Sequence, residues 1–316
     1  MQRIPRILAV VFGLLFIVSL VYSVQTTLSL SRTVSSAEMD SDSRDLHVAV
    51  FIPEAPAQFI DRVITGAREA AAAHGVALTV HAIDADALAL RMAKYSGIDG
   101  AILYPSMGEA ETRRRLDELH RAGIPVVLIE HGVADESPWT FVGTNNFDVG
   151  RRIGELASGG DDPAHLAVVY SEKSPGVIAE KELVELGINT VLGARLAAPV
   201  IRKSTGLNPL DAENLTYQIL RTMPHVNTIA FTDTADTLAA IQVIIDLNLV
   251  GTVRVVGFGI TETIQDYLDR GILVGTIVVN PVRIGSEAVK ALSGLIREGH
   301  SPGYIDTGVE IIRGRP

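Results

Sequence analysis

Between His47 and Val279 short β-branched apolar runs alternate with amphipathic stretches, which confines the chain to strand–helix units wound around parallel sheets. The runs predict strands at Val48–Ile52, Ala77–Ala82, Gly100–Leu103, Pro125–Ile129 and Thr140–Val142. A second series follows at Leu166–Val169, Leu196–Val200, Thr228–Phe231, Val253–Gly257 and Val274–Val279. Several are apolar without interruption, as strands covered on both faces must be. In the second series Ala179–Val191, Pro209–Arg221, Asp233–Leu247 and Ile260–Arg270 repeat apolar residues at three- and four-residue spacing, which predicts helices. Asp233 and Thr261 suit helix starts, and Gly75, Gly123 and Gly271 suit helix stops. Two strand–helix series imply two lobes, in keeping with a length of 316 residues. The Gly- and Asp-rich stretch Ser158–Pro163 falls inside the second series and reads as a turn.

Ahead of this pattern lies a different one. Arg3 and Arg6 precede an uncharged run from Ile7 to Ser31, almost wholly apolar from Ile7 to Val24. Eighteen helical residues reach about 27 Å, enough to span a hydrocarbon core, whereas the apolar part of a cleaved signal is about 7 to 15 residues long. The length points to a retained transmembrane anchor, although Ser35, Ser36 and Ala37 offer small residues at which a signal peptidase could cut. The arginines orient it so that everything following lies outside the cytoplasm. The reading is therefore a signal or transmembrane anchor over 1–31, a Ser-, Thr- and Asp-rich tether over 32–45, and a folded remainder at the periplasmic or outer face of the membrane.

From Leu46 onward the chain resembles the type I periplasmic sugar-binding family, whose fold is shared by the ligand domain of the lac repressor family. The segments that carry the likeness are Gly66-Ala-Arg-Glu-Ala-Ala-Ala-Ala-His-Gly75, Gly97-Ile-Asp-Gly-Ala-Ile-Leu103, Ala122-Gly-Ile-Pro-Val-Val127 and Val142-Gly-Thr-Asn-Asn-Phe-Asp-Val-Gly150. Val255-Val-Gly-Phe-Gly259 and Asn280-Pro-Val-Arg-Ile-Gly285 follow in the same order. The resemblance implies an α/β fold of two doubly wound parallel-sheet lobes joined by a three-segment hinge near Asn145, Asn280 and Asp306. Residues 46–143 with 281–305 would form the first lobe, and 144–280 with 306–316 the second.

Open parallel sheets bind ligands beyond the carboxyl ends of their strands, so the candidate ligand residues are those just past the predicted strands. Glu130 and His131 stand where the relatives carry an Asp and often an Arg, and a carboxylate there can accept hydrogen bonds from adjacent hydroxyls. Phe59 and Tyr104 are candidates for stacking on a sugar face or for core packing. Arg202, Lys181, Asp233, Asp236 and Asn280 complete the set from the second lobe and the hinge. The chain also departs from the pattern: Gly259 stands where a carboxylate usually follows Gly-Phe, and Val279 where a Gln is common.

Other classes are disfavoured. No His-Glu-x-x-His, Gly-x-Ser-x-Gly or phosphate-loop motif occurs, so neither a metal nor a cofactor nor catalysis is signalled. The formal charge of −10 argues against a nucleic-acid partner. With no cysteine, disulfides and thiolate metal sites are absent. The expectation is a solute-binding protein that captures a small ligand, foremost a carbohydrate, for an ABC-type permease. The alternatives are an anchored sensor acting on a membrane histidine kinase, and capture of a non-sugar solute.

Overall fold

A computed structural model describes residues 46–314 apart from 55–57, 85, 134–138, 161, 172–177 and 207. The anchor and tether expected over 1–45 lie outside the described residues; among those described, no helix is long and apolar enough to cross a membrane.

The first sheet is built from β1 (Leu46–Pro53), β2 (Val76–Ile83), β3 (Gly100–Leu103), β4 (Val126–Ile129), β5 (Thr140–Gly143) and a late strand, β11 (Tyr304–Asp306). Their spatial order is β2-β1-β3-β4-β5-β11, every pair parallel. The second sheet repeats this order with β6 (Leu166–Ser171), β7 (Ile201–Thr205), β8 (Thr228–Phe231), β9 (Arg254–Phe258), β10 (Gly275–Val279) and β12 (Val309–Arg313), arranged β7-β6-β8-β9-β10-β12. Only β12 runs against its neighbour, with Val279 opposite Val309. The central strands are buried on both faces, so sequences such as Val48-Ala-Val-Phe-Ile52 carry no polar alternation.

Helices cover both faces of each sheet. In the first lobe α1 (Gln58–His74) and α9 (Pro281–Glu298) pack together on one side, while α2 (Leu88–Met92) and α3 (Glu109–Arg121) close the other. In the second lobe α4 (Asn146–Ala157) pairs with α5 (Ile178–Leu192), opposite α6 (Pro209–Thr222), α7 (Thr234–Asp246) and α8 (Glu262–Asp269). Glycines set the depth of both helix pairs. A Cβ on Gly66 would lie 1.9 Å from the Val282 carbonyl oxygen, and one on Gly150 would lie 1.9 Å from that of Val184.

One predicted strand is displaced. Leu196–Val200 contains Pro199, which cannot donate to a ladder, and there only Leu196 makes a bridge, to Ala164. The strand forms five residues later at Ile201–Thr205, whose exposed edge position tolerates the polar residues that hid it. The other predicted strands and the helices lie within two residues of those observed.

Three crossings join the lobes. The chain leaves β5 through Thr144 and Asn145, leaves β10 through Asn280, and leaves β11 through Thr307 and Gly308. The third is tied to the first: Thr307 donates from its backbone N (2.9 Å) and its Oγ1 (3.0 Å) to the Gly143 carbonyl. Each crossing departs from a strand's carboxyl end, so the carboxyl ends of both sheets lie on the hinge side.

Candidate ligand-binding site

In each sheet the chain winds outward in both directions from the gap between its first and third strands, β1/β3 and β6/β8. Such switch points leave a crevice at the carboxyl ends where a ligand can enter. In the first lobe β3 delivers Tyr104 and β4 delivers Glu130 and His131 to this edge. Tyr104 is buried, and its hydroxyl lies 2.8 Å from His131 Nε2, with the rings edge to face at 4.9 Å. The His131 amide donates to the Ile129 carbonyl at 2.8 Å, closing a three-residue turn whose central residue, Glu130, has φ of 65°. For a non-glycine residue that conformation costs roughly 1–2 kcal/mol. The turn aims Glu130 at the hinge, where Thr144 Oγ1 stands 3.5 Å from both carboxylate oxygens.

The second lobe presents a threonine–aspartate network instead. Asp233 caps α7 by accepting from the Ala235 and Asp236 amides, at 3.0 and 3.1 Å. Asp236 is buried and accepts a short hydrogen bond from the Thr205 hydroxyl, so it ties the first turn of α7 to the end of β7. Thr232 Oγ1 accepts from the Ser171 amide at 3.1 Å. Thr205, Thr232 and Thr144 escaped the sequence reading because isolated threonines at strand ends carry no pattern of their own.

Other candidates stand apart from this edge. Arg202 is the second residue of β7, near that strand's amino end, and pairs with Glu185 of α5. The displacement of β7 is what moved it away from the expected position. Lys181 Nζ lies 3.2 Å from Ser204 Oγ and 5.6 Å from the centre of the Tyr170 ring. Phe59 is half-buried and packs on the first-lobe core. Asn280 sits at a crossing and caps α9, accepting from the Arg283 amide at 3.0 Å.

The departure at Gly259 has a structural basis. Its φ is 77°, and a Cβ there would stand 2.0 Å from Thr234 Oγ1, so the Thr234 hydroxyl occupies the space a side chain would need. Around the hinge, Tyr304 stacks on Phe141 with ring centroids 5.3 Å apart. Burial, followed by the nearby Asp306, Asp148 and Glu130 carboxylates, pushes its hydroxyl up to about 12. A separate cavity of about 380 Å³ opens at the ends of β2 and β3 beside Asp84, Ser106 and Glu111. Asp84 there accepts from the Leu88 amide and Glu111 pairs with Arg115. Among the described residues no group of three or more His, Cys, Asp or Glu side chains is placed to hold a metal ion.

A family model described as a periplasmic binding protein domain matches residues 48–300. The chain belongs to that family. Periplasmic binding proteins hold solutes without transforming them, so this chain is a binding protein and not an enzyme. A comparison with curated proteins found no match. Among solved structures, the chain is similar to GanP, a glucose-galactose binding protein from Geobacillus stearothermophilus, at 23% identity and a TM-score of 0.74, covering 86% of this chain and 98% of that one. It is also similar to a carbohydrate transporter solute-binding protein from Agrobacterium radiobacter in complex with D-arabinose, at 17% identity and 0.72, over 86% and 95%. The third is XylFII in its complex with LytSN, at 20% identity and 0.71, over 86% and 98%. At these identities the likeness shows the two-lobed fold of a periplasmic binding protein and no more.

Proposed function

We propose that this periplasmic binding protein captures a small carbohydrate between its lobes, with Glu130, His131 and Tyr104 of the first lobe and Asp233 and Asp236 of the second at the ligand. In this reading 46–143 with 281–305 act as one lobe and 144–280 with 306–316 as the other, closing about the three crossings. The observation that carries it is the set of carboxylates at the carboxyl ends of both parallel sheets, on the hinge side of each. A carboxylate accepts from neighbouring sugar hydroxyls, each charged hydrogen bond contributing about 1.5–3 kcal/mol. A few such bonds spanning both lobes reach the roughly 5.5 kcal/mol needed to move an open population to a closed one. The sugars named with the structural relatives support the class.

Delivery to an ABC-type permease is the role we assign first. Signalling through a membrane protein is the second, and it is favoured by two observations: the 7–24 run suits a retained anchor, and one structural relative was solved in complex with another protein. We place the chain at the outer face of the cytoplasmic membrane, held by that run.

Calorimetry of the whole chain with D-glucose, D-galactose, D-arabinose and D-allose tests the ligand class. Saturable binding of at least one sugar, lost in Glu130→Ala and in Asp236→Ala, is the expected result. Silence with all four overturns it. Mature protein whose first residue lies near Glu38 would remove the anchor.

A further inference from the structure

The two sheets end in four edge strands, β2 and β11 in the first and β7 and β12 in the second. Proteins guard such edges with charge, proline, bulges or short length, because an open row of amide groups accepts another strand. Three of the four follow that rule. β11 has three residues and ends on Asp306, β7 carries Arg202 and Lys203, and β12 carries Glu310 and Arg313. β2 does not. Its eight residues, Val-Ala-Leu-Thr-Val-His-Ala-Ile, include no Asp, Glu, Lys, Arg, Pro or Gly, and they pair one to one with β1 without a bulge.

The direction of its free groups follows from the ladder. The His47 and Phe51 carbonyls of β1 accept from the Asp99 and Tyr104 amides at 2.8 and 2.9 Å, so odd-numbered residues of β1 turn to β3 and even-numbered ones to β2. In the parallel register that pairs Val48 with Leu78, it is Ala77, Thr79 and His81 that bond to β1. The amides and carbonyls of Val76, Leu78, Val80 and Ala82 are left on the open edge, and no other part of the described chain bonds to them. A two-fold axis through Thr79 would satisfy all four at once, setting Val76 against Ala82 and Leu78 against Val80 of a second, antiparallel copy. The ends match as well. Asp84 would fall opposite His74 of the other copy, whose carbonyl accepts from Arg297 at 2.9 Å. Of the carboxylates near that end, Glu298 lies 4.0 Å from His300, and Asp99 is held on the β3 side by the His47 amide. Eight residues at about 3.3 Å each, across a helix–sheet–helix layer of about 30 Å, give an edge face of up to about 800 Å² per copy, the size of a standard stable interface.

We propose that two copies of this chain join antiparallel through β2, merging the two first-lobe sheets into one, with Arg297 of each copy facing Asp84 of the other. β2 lies at the opposite edge of its sheet from β5 and β11, where two of the crossings leave, so the paired edge keeps clear of both hinges. Neither the ligand nor the anchor enters the argument. The chain has no cysteine, so single-cysteine variants of the full chain report the pairing directly. Thr79→Cys places the two sulfurs across the axis at a non-hydrogen-bonded pair, with Cα atoms about 4.5 Å apart and within disulfide reach. Ala77→Cys, exposed and on the same face of the same strand, stands about 14 Å from its counterpart.

Mild oxidation of the full chain in detergent should give disulfide-linked dimer from Thr79→Cys at about fivefold or more the yield from Ala77→Cys. Sedimentation of the cysteine-free chain should show a concentration-dependent dimer, weakened about threefold or more by Asp84→Arg and by Arg297→Glu and restored when the two are combined. Cross-linking as strong at 77 as at 79 means chance collision or another register. A monomer at every concentration means that the edge is capped within one chain. A dimer that neither cross-links at 79 nor answers to the charge exchange is held through another surface. Each of these three results overturns the proposal.

Discussion

The two lobes share a scaffold and differ in what they bring to the carboxyl ends of their strands. In each sheet the strand order is the same, and in each the helix following a crossing packs on the helix that follows the first strand: α9 on α1, and α4 on α5. Even the close contacts correspond. Gly66 and Gly285 let α1 and α9 touch at backbone distance, as Gly150 and Gly187 do for α4 and α5. At the carboxyl ends the likeness stops. The first lobe offers a tyrosine–histidine pair and a glutamate held in a left-handed turn, and the second offers aspartates fixed by threonines and a helix cap. Packing demands the same solution twice, and under the proposed function a ligand would present different groups to each side.

The largest expected effect tests the shared part. Gly66→Ala and Gly150→Ala each force a methyl group against a backbone oxygen that cannot rotate away, so each should cost about 3 kcal/mol in urea unfolding. Gly123→Ala, where φ is 74° and the space is open, should cost only about 1 kcal/mol. Because α9 reaches the first lobe only after the chain has built most of the second, one cooperative transition shifted by either substitution is expected. Two transitions, each answering to one glycine, would show that the lobes fold independently.

Next come the parts that differ. Asp236→Ala removes the acceptor of a buried threonine hydroxyl and should cost about 1–2 kcal/mol, with Asp236→Asn retaining most of that stability. Glu130→Gly should do the opposite, raising stability by about 0.5–1 kcal/mol because glycine adopts φ of 65° without strain. The same substitution should weaken sugar binding, the trade expected when strain is held at a binding site. A loss of stability in Glu130→Gly would show that its carboxylate serves the fold through Thr144.

These contrasts mark how far the sequence could be read. The scaffold was legible because buried parallel strands leave apolar runs and glycines stand at helix ends, as Gly75, Gly123 and Gly271 do with φ of 62°, 74° and 67°. Strand β7 was not, since an edge strand of Ile-Arg-Lys-Ser-Thr resembles a loop, and with it went the position of Arg202. The turn at Glu130 and the hydroxyl filling the space beside Gly259 depend on backbone angles and on contacts between distant segments. No spacing within one segment encodes them.

The smallest effect compares one tyrosine from each lobe. Tyr304 is pushed up to about 12, by burial and then by Asp306, Asp148 and Glu130, while Tyr170 is raised further by deeper burial and then by Glu185. Each is neutral in the folded chain at a pH where an unfolded tyrosine, near 10, ionises. The stabilisation is therefore complete below about pH 10 and is lost as pH rises, through about 12 for Tyr304 and above that for Tyr170. Half of the Tyr304 surface is open to solvent, so its share is slight. Absorbance titration should show Tyr304→Phe removing a step near pH 12 and Tyr170→Phe removing a later one. If Glu130→Ala lowers the Tyr304 step, the glutamate carboxylate and the third crossing share one electrostatic environment, and charge on a bound ligand would be felt by the hinge itself.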